Sequence, residues 1–201
     1  RGADLVFMPV VETMYAVGGV TTVTVSGLTE TLCGRSRPTH FAGVCTVVTK
    51  LLNIVSPDQA FFGQKDFQQL AIITRMAADL DIPVDIVSCP IVRESDGLAM
   101  STRNQRLSAD YRIQAVALSV ALASAADQIR QSHPPATEVI ASARDYIHAN
   151  APAGEIDYIQ IIDPQTLCDV ETTEQTVLIA LAVKFPGARL IDNMLVDSTG
   201  R

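Results

Sequence analysis

Gly63, Lys65, Asp66 and Gln69 stand within one short stretch, Gly63-Gln64-Lys65-Asp66-Phe67-Gln68-Gln69, and their types suit the handling of a phosphate. A helix start leaves backbone N–H groups unpaired and carries the positive end of the helix dipole. Glycine lets a ligand approach the backbone closely, and lysine sets a full positive charge beside it. Lys65 and Gln69 are four positions apart and Asp66 and Gln69 three, so all three border one helix entrance. The same residues also read as a plain strand–helix turn with a solvated lysine, since a single Gly-x-Lys is far weaker than a full phosphate loop.

A second polar stretch runs Asp96-Gly97-Leu98-Ala99-Met100-Ser101-Thr102-Arg103-Asn104. Ser101 and Thr102 offer hydroxyls, and Arg103 offers a planar fork matched to phosphate oxygens. The stretch is expected to be a mobile loop that closes over a crevice. The competing reading is a polar loop that only leads into the next helix, with Ser108 as its cap. His40 reads equally as a substrate contact or a structural histidine, Arg37 as a phosphate or an interface residue, and His133 and His148 as surface residues.

These residues need elements to hold them. Asp58 to Phe62 reads as a short buried strand and Lys65 to about Asp81 as a helix with Phe67, Leu70, Ile73, Ala77 and Leu80 along its core stripe. Upstream, Asp4 to Met8 and Thr21 to Ser26 read as strands, the first apolar enough to be covered on both faces. A helix begins near Pro38 and runs to about Val55, presenting Phe41, Val44, Val48, Leu51 and Leu52, and Pro57 stops it. Val84 to Ser88 is the next strand. Strand and helix in alternation predict a parallel α/β sheet, whose ligands bind beyond the carboxyl ends of the strands. After Val92 the pattern becomes α+β: one long helix from Leu107 to about Arg130, another over 136–149, a strand from Asp157 to Ile162, and a β-pair, Val177 to Val183 with Arg189 to Val196, around Pro186-Gly187. Asp192 and Asn193 are expected to make turn or inter-strand hydrogen bonds.

The 201 residues suffice for one large domain or two modest ones, and 48% hydrophobic with 18% charged residues is an ordinary globular balance. A net charge of −7 argues against a nucleic-acid or anionic-membrane surface, leaving room only for a local basic pocket built from Lys65, Arg93, Arg103, Arg106 or Arg112. The longest clean apolar run, Val177 to Val183, falls far short of the ~18 residues that a membrane span needs. Cys33, Cys45, Cys89 and Cys168 are isolated from one another, the usage expected of a reduced, cytoplasmic protein. The chain opens at Arg1 with no signal peptide visible and reads as one that starts inside a domain.

Arg37-Pro38-Thr39-His40-Phe41-Ala42-Gly43-Val44, the stretch from Phe61 to Leu70, Asp96 to Asn104, and Arg189-Leu190-Ile191-Asp192-Asn193 occur in one order and spacing. Together they resemble the pantoate–β-alanine ligase (pantothenate synthetase) family of adenylate-forming nucleotidyltransferases, over essentially the whole chain. The resemblance implies a Rossmann-like nucleotidyltransferase domain with a parallel sheet over residues 1–91, holding nucleotide and pantoate. A smaller α+β lid domain follows over 92–201. It implies that ATP and pantoate form pantoyl adenylate and pyrophosphate, after which the amine of β-alanine gives pantothenate and AMP.

By motif position, the resemblance places Gly63 and Asp66 on the ATP ribose and the backbone near Val92 on the adenine. It places Met100 against ATP, and Lys65, Ser101, Thr102 and Arg103 on the phosphates, with Lys65, Ser101 and Arg103 as the catalytic set. Gln69 would bind pantoate in a pocket lined by Val47, Val48 and Leu51. Such a reaction depends on positioning and charge neutralisation and needs no nucleophilic side chain. The resemblance further implies Mg²⁺, a cytoplasmic homodimer, and only small-molecule partners.

Two positions depart from the family pattern: Gln64 stands where Glu is usual and Thr102 where Ser is usual, both keeping hydrogen-bonding ability. The resemblance covers the C-terminal two-thirds of that pattern. The family's His-x-Gly-His signature, a second pantoate-binding glutamine and the acidic Mg²⁺ site lie outside it, so the 201 residues alone are expected to be inactive, with no metal ligands of their own. The alternatives are a nucleotidyltransferase with a different acceptor, or a nucleotide-binding or assembly module without catalysis.

Overall fold

The structure is a computed structural model and describes residues 2–15 and 17–197. Its elements are α1 (Val11–Met14), α2 (Leu32–Ser36), α3 (His40–Val55), β1 (Gln59–Gly63), a 3₁₀ turn (Gln64–Asp66) and α4 (Phe67–Asp79). Then come β2 (Asp85–Cys89), a second 3₁₀ turn (Thr102–Arg106), α5 (Ala109–Ala115), α6 (Ala117–Ser132), α7 (Ala136–Asn150), β3 (Glu155–Ile162), β4 (Val177–Phe185) and β5 (Ala188–Val196).

β1 and β2 pair in parallel, with Gln59 opposite Asp85 and Gly63 opposite Cys89, and α4 makes the crossover between them. Phe41, Cys45 and Leu52 of α3 meet Ile72, Ile73 and Met76 of α4 to form the core beside this pair. β1 itself is covered on one face only: Ala60 and Phe62 pack on that core, while Phe61 is 64% exposed. The expected α/β architecture is therefore present, but two of its expected strands are not. Residues 4–8 pair with neither β1 nor β2, and Leu5, Val6 and Met8 are largely exposed. An apolar run is a strand only where a ladder takes its N–H and C=O groups, and none is offered here.

Thr21 to Ser26 keeps the alternation of a strand, with Val23 and Val25 turned to the core and their neighbours outward. Its backbone, however, bonds to a helix rather than a sheet: the Val23 N–H donates to Thr46 Oγ1 of α3 at 2.9 Å.

β3, β4 and β5 form an antiparallel sheet with β4 in the middle. β5 returns from β4 through Pro186-Gly187, where proline presets its own φ and Gly187 takes φ +92°, which a residue with a Cβ adopts only under strain. The continuous apolar run of β4 has a direct cause. Val177, Ile179, Leu181 and Val183 face the helices α6 and α7, while Leu178 and Ala180 face α2 and α4. Both faces are covered, so no position on the strand is left for a polar residue until Lys184.

The long helix expected over 107–130 is broken at Val116 into α5 and α6, and the Ser108 hydroxyl caps α5 by accepting from the Tyr111 N–H. Ala115, Ala117, Leu118, Ala121 and Leu122 on either side of the break are all buried in one cluster, and Val116 between them keeps helical backbone angles (φ −60°, ψ −28°). On α4 the buried stripe is Gln68, Ile72, Ile73, Met76 and Ala77, and Leu80 is 49% exposed. The stripe is rotated from the one periodicity suggested because polar Gln68 is drawn inward. Its Nε2 donates to the carbonyls of Leu28 (2.9 Å) and Thr31 (2.8 Å).

Candidate active site

β1 ends at Gly63 and delivers the chain to the 3₁₀ turn, so Lys65 and Asp66 sit one turn before the α4 start at Phe67 rather than inside the helix. Gly63 has ordinary extended backbone (φ −75°, ψ 134°), and a Cβ there would meet nothing within 4 Å. The glycine therefore serves open space at the end of the strand rather than the turn itself. Lys65 is half-buried, and among the described residues its ammonium makes no hydrogen bond or ion pair.

A cleft opens beside this turn. Lys65, Asp66, Gln68 and Gln69 form one wall, Arg37, His40 and Phe41 a second, and Arg103 a third. The floor is the face of the antiparallel sheet carrying Tyr158, Leu178, Ala180, Arg189, Ile191 and Asn193. Of the residues expected to act, Lys65, Asp66, Gln69 and Arg103 are thus brought together, with Arg37 and His40 among them.

The others lie outside the lining. Val92 and Met100 are 62% and 56% exposed, Thr102 is exposed, and Ser101 is spent as an N-cap, its Oγ accepting from the Arg103 N–H at 3.2 Å. Val47, Val48 and Leu51 are half-buried on α3, and Val48 packs into the core beside β1 and β2.

The sheet's contribution was not apparent from sequence, although Arg189, Ile191 and Asn193 alternate as one face of a strand must. Arg189 donates to Asp157 Oδ2 through Nε (2.9 Å) and Nη2 (2.6 Å), lies 3.4 Å from Cys33 Sγ, and covers the Tyr158 ring at 5.6 Å. Burial works against the Asp157 charge, yet the Arg189 and Lys184 hydrogen bonds outweigh it and hold that carboxyl below the usual range. Burial pushes the Tyr158 phenol far above its ordinary value, so it stays un-ionised, its hydroxyl 3.4 Å from Cys33 Sγ.

The stretch 92–104 is tied to itself and to α5 by hydrogen bonds and ion pairs. The Met100 N–H donates to the Val92 carbonyl at 2.9 Å, and Arg93 and Ala99 form a β-bridge. Arg112 binds Glu94 at 2.8 Å and Asp96 at 2.7 Å, and Asn104 donates to Glu94 and to the Ala99 carbonyl. Arg112 and Arg93 are therefore structural cations, and Lys65 and Arg103 are left to the cleft. Asn193 makes the expected bonds to a turn, donating to the carbonyls of the 3₁₀ turn, whereas the Asp192 side chain binds Arg93.

The fold holds the His40 imidazole below its ordinary pKa of 6.5, mainly through burial, with the Arg37 and Arg103 charges adding and Asp66 opposing. A depressed histidine pKa means that the unfolded chain binds the proton more readily. Its stabilising contribution is thus full above pH 6.5 and is lost as pH falls through the folded value. His40→Gln is expected to lose less stability than the parent between about pH 7 and about pH 5. Parallel denaturant midpoints across that range would show that the imidazole is not held neutral.

The chain's relatives share this architecture. The family described as pantoate-beta-alanine ligase matches residues 1–195. The chain is 50% identical over 196 residues to a pantothenate synthetase of Acetivibrio thermocellus, covering 98% of this chain and 69% of that protein. It is 49% identical over 197 residues to one of Desulforapulum autotrophicum, again spanning 69% of it. The crystal structure of pantothenate synthetase from Thermus thermophilus superposes with a TM-score of 0.91 at 42% identity, over 96% of this chain and 70% of that one. A Francisella tularensis pantoate-beta-alanine ligase, solved with Beta-gamma ATP and Beta-alanine, gives a TM-score of 0.69 at 29% identity, over 92% of this chain and 61% of that one.

Proposed function

The chain belongs to the pantoate–β-alanine ligase family, and from that premise we propose how its residues share the ATP-dependent synthesis of pantothenate. The reaction joins pantoate and β-alanine in two steps. A pantoate carboxylate oxygen displaces pyrophosphate from the α-phosphorus of ATP, and the β-alanine amine then displaces AMP from the acyl carbon. The observation that carries the assignment is the convergence of Lys65, Asp66, Gln69 and Arg103 on one cleft from two separate segments.

Lys65 and Arg103 neutralise the phosphates as charge moves onto the departing pyrophosphate, the differential stabilisation on which adenylyl transfer depends. Asp66 accepts from the ribose hydroxyls, and the open backbone at Gly63 lets the nucleotide lie against the end of β1. The exposed Val92 and Met100 meet the adenine side, and Ser101 and Thr102 flank the phosphates next to Arg103. Gln69, one turn beyond Lys65, holds pantoate, and the family resemblance supports Val47, Val48 and Leu51 of α3 as the apolar surroundings of its site beyond the cleft lining. The division into a nucleotide-binding part over 1–91 and a lid over 92–201 is supported by the two separate sheets.

Magnesium enters this reading as an ion carried by the phosphates, where it would offset their charge. Among the described residues no group of three or more His, Cys, Asp or Glu side chains gathers, and no step of this reading is routed through the ion. The family resemblance also supports a homodimer in the cytoplasm. No described helix is long and apolar enough to cross a membrane.

Pantoate-dependent release of pyrophosphate from ATP, by this chain joined to an N-terminal segment carrying the family's His-x-Gly-His signature, tests the activity. Release driven equally by an unrelated carboxylic acid would favour a sister transferase. For the pantoate assignment, Gln69→Ala is expected to weaken pantoate binding about tenfold, as loss of one or two hydrogen bonds does, and to leave ATP binding nearly unchanged. Separate calorimetric titrations of the two ligands check this, and an equal loss for both would contradict it.

A further inference from the structure

We propose that Asp192 and Asn193 are positioning residues that fix the two phosphate-handling segments to each other, Asn193 acting through the turn that carries Lys65. The inference rests on the reading of Lys65 and Arg103 given above and goes beyond it, because neither β5 residue need touch a substrate.

Asn193 is 6% exposed, and its Nδ2 donates to the Gln64 carbonyl and the Lys65 carbonyl, each at 2.9 Å. Two acceptors facing one side chain demand two hydrogens on one atom, which an amide nitrogen supplies and a carboxylate or hydroxyl does not. The 3₁₀ turn before α4 is thereby gripped by both of its first two peptide units. Its own helix does not fix that grip: Asp66, with φ −97° and ψ 56°, departs from helical geometry between the turn and α4.

Asp192 performs the matching task on the other side of the strand. It is 2% exposed, and its carboxylate accepts from Arg93 Nη1 at 2.7 Å and Nη2 at 3.1 Å, while Oδ1 also accepts from the Asn193 N–H at 2.8 Å. Arg93 in turn donates to the Gly97 carbonyl at 3.0 Å and bridges to Ala99, which holds the loop ending at Met100. Ser101 and Arg103 follow directly. Neighbouring residues on one buried strand therefore anchor Lys65 on one side and the Arg103 loop on the other, and misplacement of a charged group by about 1 Å costs on the order of 10²-fold in rate.

Asn193→Asp is the sharpest test, since it keeps the shape and turns carboxylate oxygens toward two carbonyl oxygens. In a chain completed with the family's N-terminal segment, the expected result is a fall in kcat for pantoate-dependent pyrophosphate release of about ten- to hundredfold, with the KM for ATP changed much less. Placed on top of Lys65→Ala, the same substitution is expected to cost less than about threefold further, because residues acting as a unit are not additive. A full multiplicative loss in both backgrounds would overturn the proposal, as would a rise in KM alone.

Amide hydrogen exchange separates this from the phosphate reading. Asn193→Ala is expected to speed exchange across residues 64–68 at least about tenfold, whether or not that turn binds nucleotide. Unchanged exchange there overturns the positioning role. Faster exchange together with full activity in Lys65→Ala would overturn the phosphate reading and leave the clamp standing.

Discussion

In a chain completed with the family's N-terminal segment, Lys65→Ala and Arg103→Ala are each expected to slow adenylate formation by roughly ten- to hundredfold or more while leaving the fold intact. Hydrogen bonds to charged groups contribute about 1.5–3 kcal/mol, and each 1.4 kcal/mol removed from transition-state binding is about tenfold in rate. Little stability is at stake in either case. The Lys65 ammonium has no partner among the described residues, and Arg103 is exposed, its guanidinium making one long contact of 3.4 Å to the Arg189 carbonyl. Pyrophosphate release measured beside the thermal midpoint checks both halves of the expectation. Unchanged release in both variants would remove these residues from the chemistry.

The second large effect is on folding. Gly34 lies buried in the short helix α2, and a Cβ there would stand 1.9 Å from the Thr29 carbonyl oxygen and 2.7 Å from its carbon. Those are backbone atoms, so no rotamer relieves the contact. The 28–31 segment cannot simply swing away either, because Gln68 holds the Leu28 and Thr31 carbonyls. Gly34→Ala is expected to destabilise the protein by about 1–3 kcal/mol or more, the usual cost of overpacking. At about 2–4 °C per kcal/mol for a chain of this size, the thermal midpoint should fall by several degrees. An unshifted midpoint would show that the turn preceding α2 is free to move.

Much of the fold was legible because its elements carry strong local signals. β1, β2, α3 and the β4–β5 pair lie close to where periodicity, Pro57 and Pro186-Gly187 place them. Thr21 to Ser26 shows the limit of that logic. Its period-two pattern reports one buried face correctly, but the pattern cannot say whether the backbone's partner is a strand or, as here, a helix side chain. Residues 4–8 show it again, since apolar character alone supplies no ladder.

The candidate site divides in the same way. Lys65, Asp66, Gln69 and Arg103 announce themselves by charge and spacing. Tyr158, Arg189 and Asn193 do not, because they reach the cleft from a sheet far along the chain from Lys65, and no local rule specifies how the two halves pack. Gln68 was hidden for another reason. An amide beside an expected ligand-binding amide looks like surface, and only the carbonyls it binds reveal that it belongs inside.

The strand that is covered on both sides has one more consequence, which concerns where chemistry is allowed to reside. From Val177 to Val183 every side chain of β4 is buried, alternately toward the α6–α7 layer and toward the cleft side. Such a strand behaves like a party wall: it bears load for two rooms and can carry fittings for neither. The reactive vocabulary of the sheet is therefore confined to its two outer members, with Tyr158 on one and Arg189, Asp192 and Asn193 on the other. Any new polar function on this face would have to arise on β3 or β5, where one flank remains open to variation.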